Sequence, residues 1–347
     1  MSFSFTPSDR LLLVMPHPDD ESLATGGLIQ RIAQAGASAR LLMVTSGENN
    51  PWPQRWMEKR WHIGMPERQR WGALRCQEAE DALSRLGFQG ETRFLQFPDQ
   101  GMTPRLLSAD PATLDRFCAE ICEWEPTRIV FPSSYDLHPD HNALHVLLQI
   151  ALQRTGHCSL PQLHFVVHCK RPDLIPCRVA LSLSEAERQI KRDAILCHTT
   201  QMVLSRKRFA AYALPEEIFF ESAPVEAFNP SLRIPDAFLN AGALHLSVTL
   251  PHRLGRNAGI WIAGESATQG SIRWRLPIPL TSGKVRLEDI ATGKPLRTAT
   301  VRISGHVALV KIPIAPAAPF SRLFVKFHRR TIFLDDAGWR EVPVGQA

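Results

Sequence analysis

Along the first two-thirds of the chain, short apolar runs alternate with longer stretches whose apolar positions recur at helical spacing. Residues 11–15, Leu-Leu-Leu-Val-Met, predict a buried strand, and residues 22–35 a helix that stops at Gly36. Further strands are expected at 40–45, 92–97, 128–132 and 163–168, with helices at 68–86, 110–124, 139–153 and 184–197. Asp110 followed by Pro111 is a helix-start signal, and Ser184 with Glu187 has the spacing of a capping box. Strands alternating with helices predict an α/β unit: a Rossmann-like, doubly wound, mostly parallel sheet with helices on both faces. Such sheets build their sites beyond the carboxyl ends of the strands.

After about residue 225 the texture changes. Short, often alternating strands are expected at 244–250, 259–263, 272–276, 285–287, 298–303, 307–312 and 323–327, separated by Gly and Pro turns. This predicts a C-terminal all-β, sandwich-like domain, so that 1–224 and 225–347 form two domains joined near 224–235. Trp261, Trp274 and Trp339 are expected in its core.

Two polar clusters follow strands of the first unit. Pro16-His17-Pro18-Asp19-Asp20-Glu21 comes after the first, and Asp136-Leu137-His138-Pro139-Asp140-His141 after the fourth. Two histidines and a carboxylate suit zinc in a hydrolytic site, because three protein ligands leave a position open. A second carboxylate beside the metal could take a proton from water. Locally, the same residues could instead cap the helices that begin at each cluster.

These clusters resemble the signature of the LmbE-like or PIG-L family of zinc N-deacetylases, in which a strand ends in His-Pro-Asp-Asp-Glu and a later one in His-Pro-Asp-His. The similarity spans about residues 10–222: Arg75 and Glu78 match an Arg-x-x-Glu stretch, Phe97-Pro98-Asp99 a Phe-Pro-Asp, and Glu217-x-Phe219 a closing Glu-x-Phe. His198 stands where the family commonly has Tyr. The resemblance implies one zinc ion per chain, or another divalent metal, on His17, Asp20 and His141. Asp19 would be the general base, and His138 would stabilise the oxyanion or protonate the leaving amine. Asp140 and Glu21 would support the ligands, and Arg75 and Asp99 would contact substrate or back the site.

Residues 49–75 follow the second strand and hold four of the eight tryptophans, Trp52, Trp56, Trp61 and Trp71, among several arginines. Placed over the site face, Trp52 and Trp56 would bind substrate as part of a lid; a locally packed loop is the plainer reading. The net charge of +6 favours anionic partners, but no basic repeat or recognition helix points to nucleic acid. Seven scattered cysteines without a Cys-x-x-Cys pair predict neither disulfides nor a thiolate metal site, and Cys118 and Cys122 read as core packing. The first ten residues carry no secretion signal, so a soluble, cytoplasmic chain is expected.

The expected activity is removal of an N-acetyl group from an N-acetylhexosamine in a glycan or glycoconjugate precursor, with peripheral contact to a membrane or lipid-linked glycan. Two rival readings are an amidase on a larger sugar-thiol conjugate, and a glycan-binding protein with a vestigial metal site. Oligomeric state is not legible.

Overall fold

The run at 11–15 is apolar at every position because both of its faces are covered. In the computed structural model, Leu11, Leu13 and Met15 enter one hydrophobic core while Leu12 and Val14 enter another, all fully buried. That two-residue alternation is what a strand between two helical layers requires. The structure describes residues 3–222, 233–255, 257–314, 320–329, 331 and 333–344. Most of the expected junction at 224–235 lies outside the described residues.

The first unit runs β1 (Arg10–Met15), α1 (Asp20–Gln34), β2 (Ser38–Thr45), α2 (Pro51–Glu58), α3 (Met65–Arg85), β3 (Glu91–Phe97), α4 (Met102–Leu107), α5 (Pro111–Trp124), β4 (Arg128–Pro132), α6 (Pro139–Arg154), β5 (Gln162–Phe165), β6 (Arg178–Ser182), α7 (Glu185–Cys197), α8 (Thr199–Ala210) and β7 (Glu216–Glu221). The sheet order is β3-β2-β1-β4-β5-β7-β6. The first five strands are parallel, and β7 pairs antiparallel with both β5 and β6. The chain winds one way from β1 through β2 to β3 and the other way through β4 to β5. The switch point, where ligands bind in such sheets, therefore lies between β1 and β4.

The C-terminal unit comprises β8 (Asp236–Asn240), β9 (Ala243–Thr249), β10 (Gly259–Ser266), β11 (Gly270–Pro277), β12 (Gly283–Asp289), β13 (Pro295–Ser304), β14 (Val307–Pro313), β15 (Phe320–His328) and β16 (Arg340–Glu341). They form one antiparallel sheet in the order β16-β15-β10-β11-β12-β13-β14-β9-β8. Pairing between β11 and β12 spans only Trp274–Asp289 and Arg275–Glu288. Residues from both sides of that joint, such as Ile262 and Val325 with Leu246 and Val310, share one core.

The two units also share apolar surface. Ala263 of β10, Phe324 of β15 and Trp339 belong to the same buried cluster as Leu106, Phe117 and Leu147 of the helical layer. Arg154 at the end of α6 pairs with Glu265 at 3.0 Å. Trp274 and Trp339 are buried, as expected of core, and Trp261 is half-buried.

Several elements differ from the sequence expectation. The helix expected at 68–86 begins earlier, at Met65, because Pro66 and the Glu67 carboxylate on the Gly64 N–H form a start of their own. The strand expected at 163–168 ends at Phe165. All seven cysteines are free; Cys118 is half-buried, but Cys122 is exposed and does not belong to the core. Among the described residues, no helix is long and apolar enough to cross a membrane.

Candidate active site

Both polar clusters fall at the switch point, one leaving β1 and the other leaving β4. The backbone after β1 turns sharply: Asp19 has φ 126°, a conformation that residues with a side chain rarely adopt. Its N–H donates to Glu21 Oε2 at 2.9 Å, and α1 begins at the next residue. The Asp19 side chain makes no capping hydrogen bond to that helix. The local capping alternative therefore fails for Asp19. His138, by contrast, does cap α6, its Nδ1 accepting the Asp140 N–H at 3.3 Å.

His17, Asp20 and His141 converge. His17 Nδ1 lies 3.1 Å from His141 Nε2, and Asp20 Oδ2 lies 3.4 Å from the first and 3.3 Å from the second. Three ligand atoms about 2.0 Å from a tetrahedral zinc stand about 3.3 Å apart, so the triangle has the dimensions of a metal-binding face. Without a metal, and against the effect of burial, Asp20, Asp136 and the other carboxylates around them favour the protonated forms of His17 and His141, which then donate to Asp20. A cation in their midst would satisfy the three together.

The opposite edges of the two imidazoles face carboxylates. Asp136, fully buried, accepts from His141 Nδ1 at 3.2 Å and from the backbone N–H groups of His138, Val167 and His168. His17 Nε2 lies 3.2 Å from Asp99 Oδ1 and 3.5 Å from Asp140 Oδ2. Asp140 in turn accepts from Gln100 N and Met102 N, and Asp99 from Asn49 N. A carboxylate behind each ligand imidazole is a recurrent way to fix its ring and tautomer. Two other groupings have metal-ligand proximity, His17 with His138 and His141, and His17 with Asp99 and Asp140. The second uses the far nitrogen of His17 and carboxylates already engaged by backbone donors.

Charge at the site is lopsided. Asp19, Asp20, Asp99, Asp136, Asp140 and Glu21 are all buried, while Arg75 is the permanent cation among them. Arg75 donates to Gly47 O at 2.6 Å, Pro18 O at 2.5 Å and Asp19 Oδ2 at 3.2 Å, so it braces the turn that carries Asp19. Burial, opposed by Arg75 and reinforced by Asp20, pushes the Asp19 carboxyl up to about 6. Burial works against the charge of Asp20 too, but His141 and His17 hold its carboxyl well below the usual range. For His138, burial and then the neighbouring His17 and His141 keep the ring neutral, well below an ordinary imidazole.

Three further residues belong to this neighbourhood. His168 follows β5 and sits 5.6 Å, ring to ring, from His138; the rule that sites gather at carboxyl strand ends could have found it. His198, fully enclosed, donates to Glu21 at 2.7 Å, so it fixes the residue that receives the Asp19 N–H. Glu48 accepts from the Asp99 N–H. Trp52 and Trp56 stand outside, 48% and 69% exposed on α2, which begins just after Asn49 at the rim of the site.

Residues 12–152 match the model of the PIG-L family, described as GlcNAc-PI de-N-acetylase. A 1D-myo-inositol 2-acetamido-2-deoxy-alpha-D-glucopyranoside deacetylase of Mycobacteroides abscessus is 30% identical over 261 residues, covering 63% of this chain and 90% of the relative. The chain belongs to the PIG-L family. The protein of the same name from Rhodococcus jostii is 35% identical over 168 residues, which is 44% of this chain; the chain spans little more than half of that relative, 56%. A solved structure, the 4-carboxy-2-hydroxymuconate hydratase of Pseudomonas putida, has a TM-score of 0.50 at 19% identity and covers 62% of this chain and 97% of that one. That likeness concerns the PIG-L fold alone.

Proposed function

We propose that the chain is a divalent-metal-dependent hydrolase that removes the acetyl group from the nitrogen of an N-acetylhexosamine carried on a glycoconjugate. The observation that carries this reading is the triangle of His17 Nδ1, Asp20 Oδ2 and His141 Nε2, next to the Asp19 carboxylate that Arg75 holds away from the helix it precedes. The names of the M. abscessus and R. jostii relatives supply the substrate class, an acetamido sugar on inositol.

Zinc held by these three residues would polarise the acetyl carbonyl and make water nucleophilic at neutral pH. Asp19 takes the proton from the attacking water. The carboxylate accepts that proton and, once protonated, returns it to the departing nitrogen. The water oxygen joins the acetyl carbon, the C–N bond breaks, and acetate and a free sugar amine result. His138 is neutral, and its Nδ1 is occupied by the Asp140 N–H, so its proton resides on Nε2. From there it donates to the oxygen that gains charge at the carbonyl.

The exposed tryptophans of α2 are read as a grip for the part of the glycoconjugate beyond the acetamide. Arg55 lies over both Trp52 and Trp61, at 5.1 and 5.0 Å from their rings, giving a cationic aromatic ledge suited to an anionic or glycosyl group. A cytoplasmic location and a peripheral membrane contact remain part of this reading. A glycan-binding protein with a vestigial site would have no use for a general base at Asp19, and the fold alone also carries hydratase chemistry.

Product formation by the zinc-loaded protein decides among these: acetate from the N-acetyl sugars, butyrate from the N-butyryl analogue and the hydrated product from the enol acid. The panel is N-acetylglucosaminyl-inositol, free N-acetylglucosamine, an N-butyryl analogue and an enol-acid hydratase substrate. Acetate from the N-acetyl sugars is expected; the reading is abandoned if none of them yields any, while preference for the butyryl compound would favour the broader amidase.

A further inference from the structure

The carboxylate and histidine of the second cluster are clamped from behind by the β domain. Lys326 of β15 is 1% exposed. Its ammonium donates to Asn142 Oδ1 at 2.8 Å and to Asp335 Oδ2 at 2.5 Å, beneath the rings of Trp339 and Trp261 at 5.5 and 5.9 Å. Asn142 is the residue after His141. Its amide nitrogen donates to Asp335 Oδ2 at 3.0 Å, to Asp136 O at 3.0 Å and to His138 O at 2.9 Å. One side chain therefore joins the backbone of the metal-site loop to an ion pair of the other domain.

The same loop is tied at two more points. Asp335 N donates to Leu137 O at 2.8 Å, and Trp339 N to Ser134 O at 3.0 Å. Gly338 approaches so closely that a Cβ there would sit 1.6 Å from Ser134 O. Every carbonyl contact falls between β4 and α6, on the segment that carries Asp136 and His138 and leads into His141 in the first turn of α6. An ion pair removed from water is costly and adds little stability by itself. Spending one here makes sense as a positional device: it fixes a single arrangement of polar groups where apolar packing would tolerate several.

We infer that the β domain is a working part of the active site, and that Lys326 and Asp335 are positioning residues that set the Asp136–His141 loop through Asn142. This rests on the metal site proposed above but not on the identity of the substrate.

The test replaces the pair by apolar groups of similar size, Lys326→Met with Asp335→Leu, which removes the hold on Asn142 without stranding a buried charge. Zinc affinity is measured by competition with a chromophoric chelator, alongside kcat and KM for acetate release. With folding preserved by circular dichroism, zinc affinity is expected to fall about 10-fold or more, and kcat to fall more than KM rises. Should the pair variant not fold, Asn142→Ala cuts the junction from the catalytic side, leaves Lys326–Asp335 intact and is expected to weaken zinc equally. Arg154→Met breaks a different inter-domain ion pair at the far end of α6 and should change neither property. A folded variant that binds zinc and turns over as the parent does overturns the inference, as does a parent protein that binds no divalent metal. A parent that binds zinc but releases no acetate would overturn the substrate reading alone, because the affinity comparison still stands.

Discussion

At the scale of single residues, Asp19 is where conformational strain and chemistry meet. The positive φ turns its carboxylate away from the helix it precedes, and Glu21, held by His198, receives the N–H that this turn exposes. If its role is proton transfer, Asp19→Ala should lower kcat by about 10²- to 10⁴-fold while leaving one zinc bound per chain. His141→Ala should instead lose the metal. Metal analysis beside acetate release separates the two, and full turnover by Asp19→Ala would remove it from the mechanism. Both clusters were legible in the sequence because each is contiguous and follows an apolar run. The carboxylates behind His17 were not assigned to it: Asp99 and Asp140 meet its Nε2 from two different strand ends, and no local spacing records such a meeting. His198, met in sequence as a departure from a family pattern, acquires its meaning only through Glu21, 177 residues away.

At the scale of elements, the amphipathic and buried segments were readable, and the edges and additions were not. β1, β2 and β4 are apolar because they lie inside the sheet; α7 starts at Ser184 with the reciprocal Glu187 bond that its spacing announced. β6 reads Arg-Val-Ala-Leu-Ser with one buried position, the pattern of an edge strand that carries little apolar signal. α2 is also hard to see from sequence, since Pro51 and Pro53 lie in its first turn and Trp52 and Trp56 face outward. Its placement favours point substitution over excision, because α3 already starts at Met65 and Gln54 of α2 bonds to Glu67 O. Trp52→Ala with Trp56→Ala should raise KM for N-acetylglucosaminyl-inositol or a larger conjugate about 10-fold and leave that for free N-acetylglucosamine unchanged. Parallel steady-state assays measure this. An equal change for both sugars would mean that α2 supports the fold rather than the substrate.

At the scale of the whole molecule, the seam between the units makes stability depend on pH. His145 of α6 and His164 of β5 stand 5.0 Å apart, ring to ring, both buried beside a cavity of about 90 Å³ that Trp339 and Arg340 also line. Burial, with Arg322 adding to it and the Pro132 carbonyl opposing it, pushes His145 down to about 4; burial and His145 itself hold His164 well below an ordinary imidazole. The folded protein thus keeps both rings neutral while the unfolded chain takes up protons near pH 6.5. The stability they contribute is full above about pH 6.5 and is lost as the pH falls towards 4, at about 1.4 kcal/mol per pH unit for each ring. Asp19 works the other way over part of this range, since its raised pKa lets the folded state bind a proton first. Comparison with His145→Gln isolates the histidine pair, because groups distant from the seam cancel and His164, still buried, loses only the part of its shift that His145 supplies. Urea unfolding of the metal-free protein between pH 7 and pH 4.5 should show the parent losing stability more steeply than the variant by about 1.4 kcal/mol per pH unit. Equal slopes would mean that His145 takes its proton inside the folded seam, and that burial there does not hold the ring neutral.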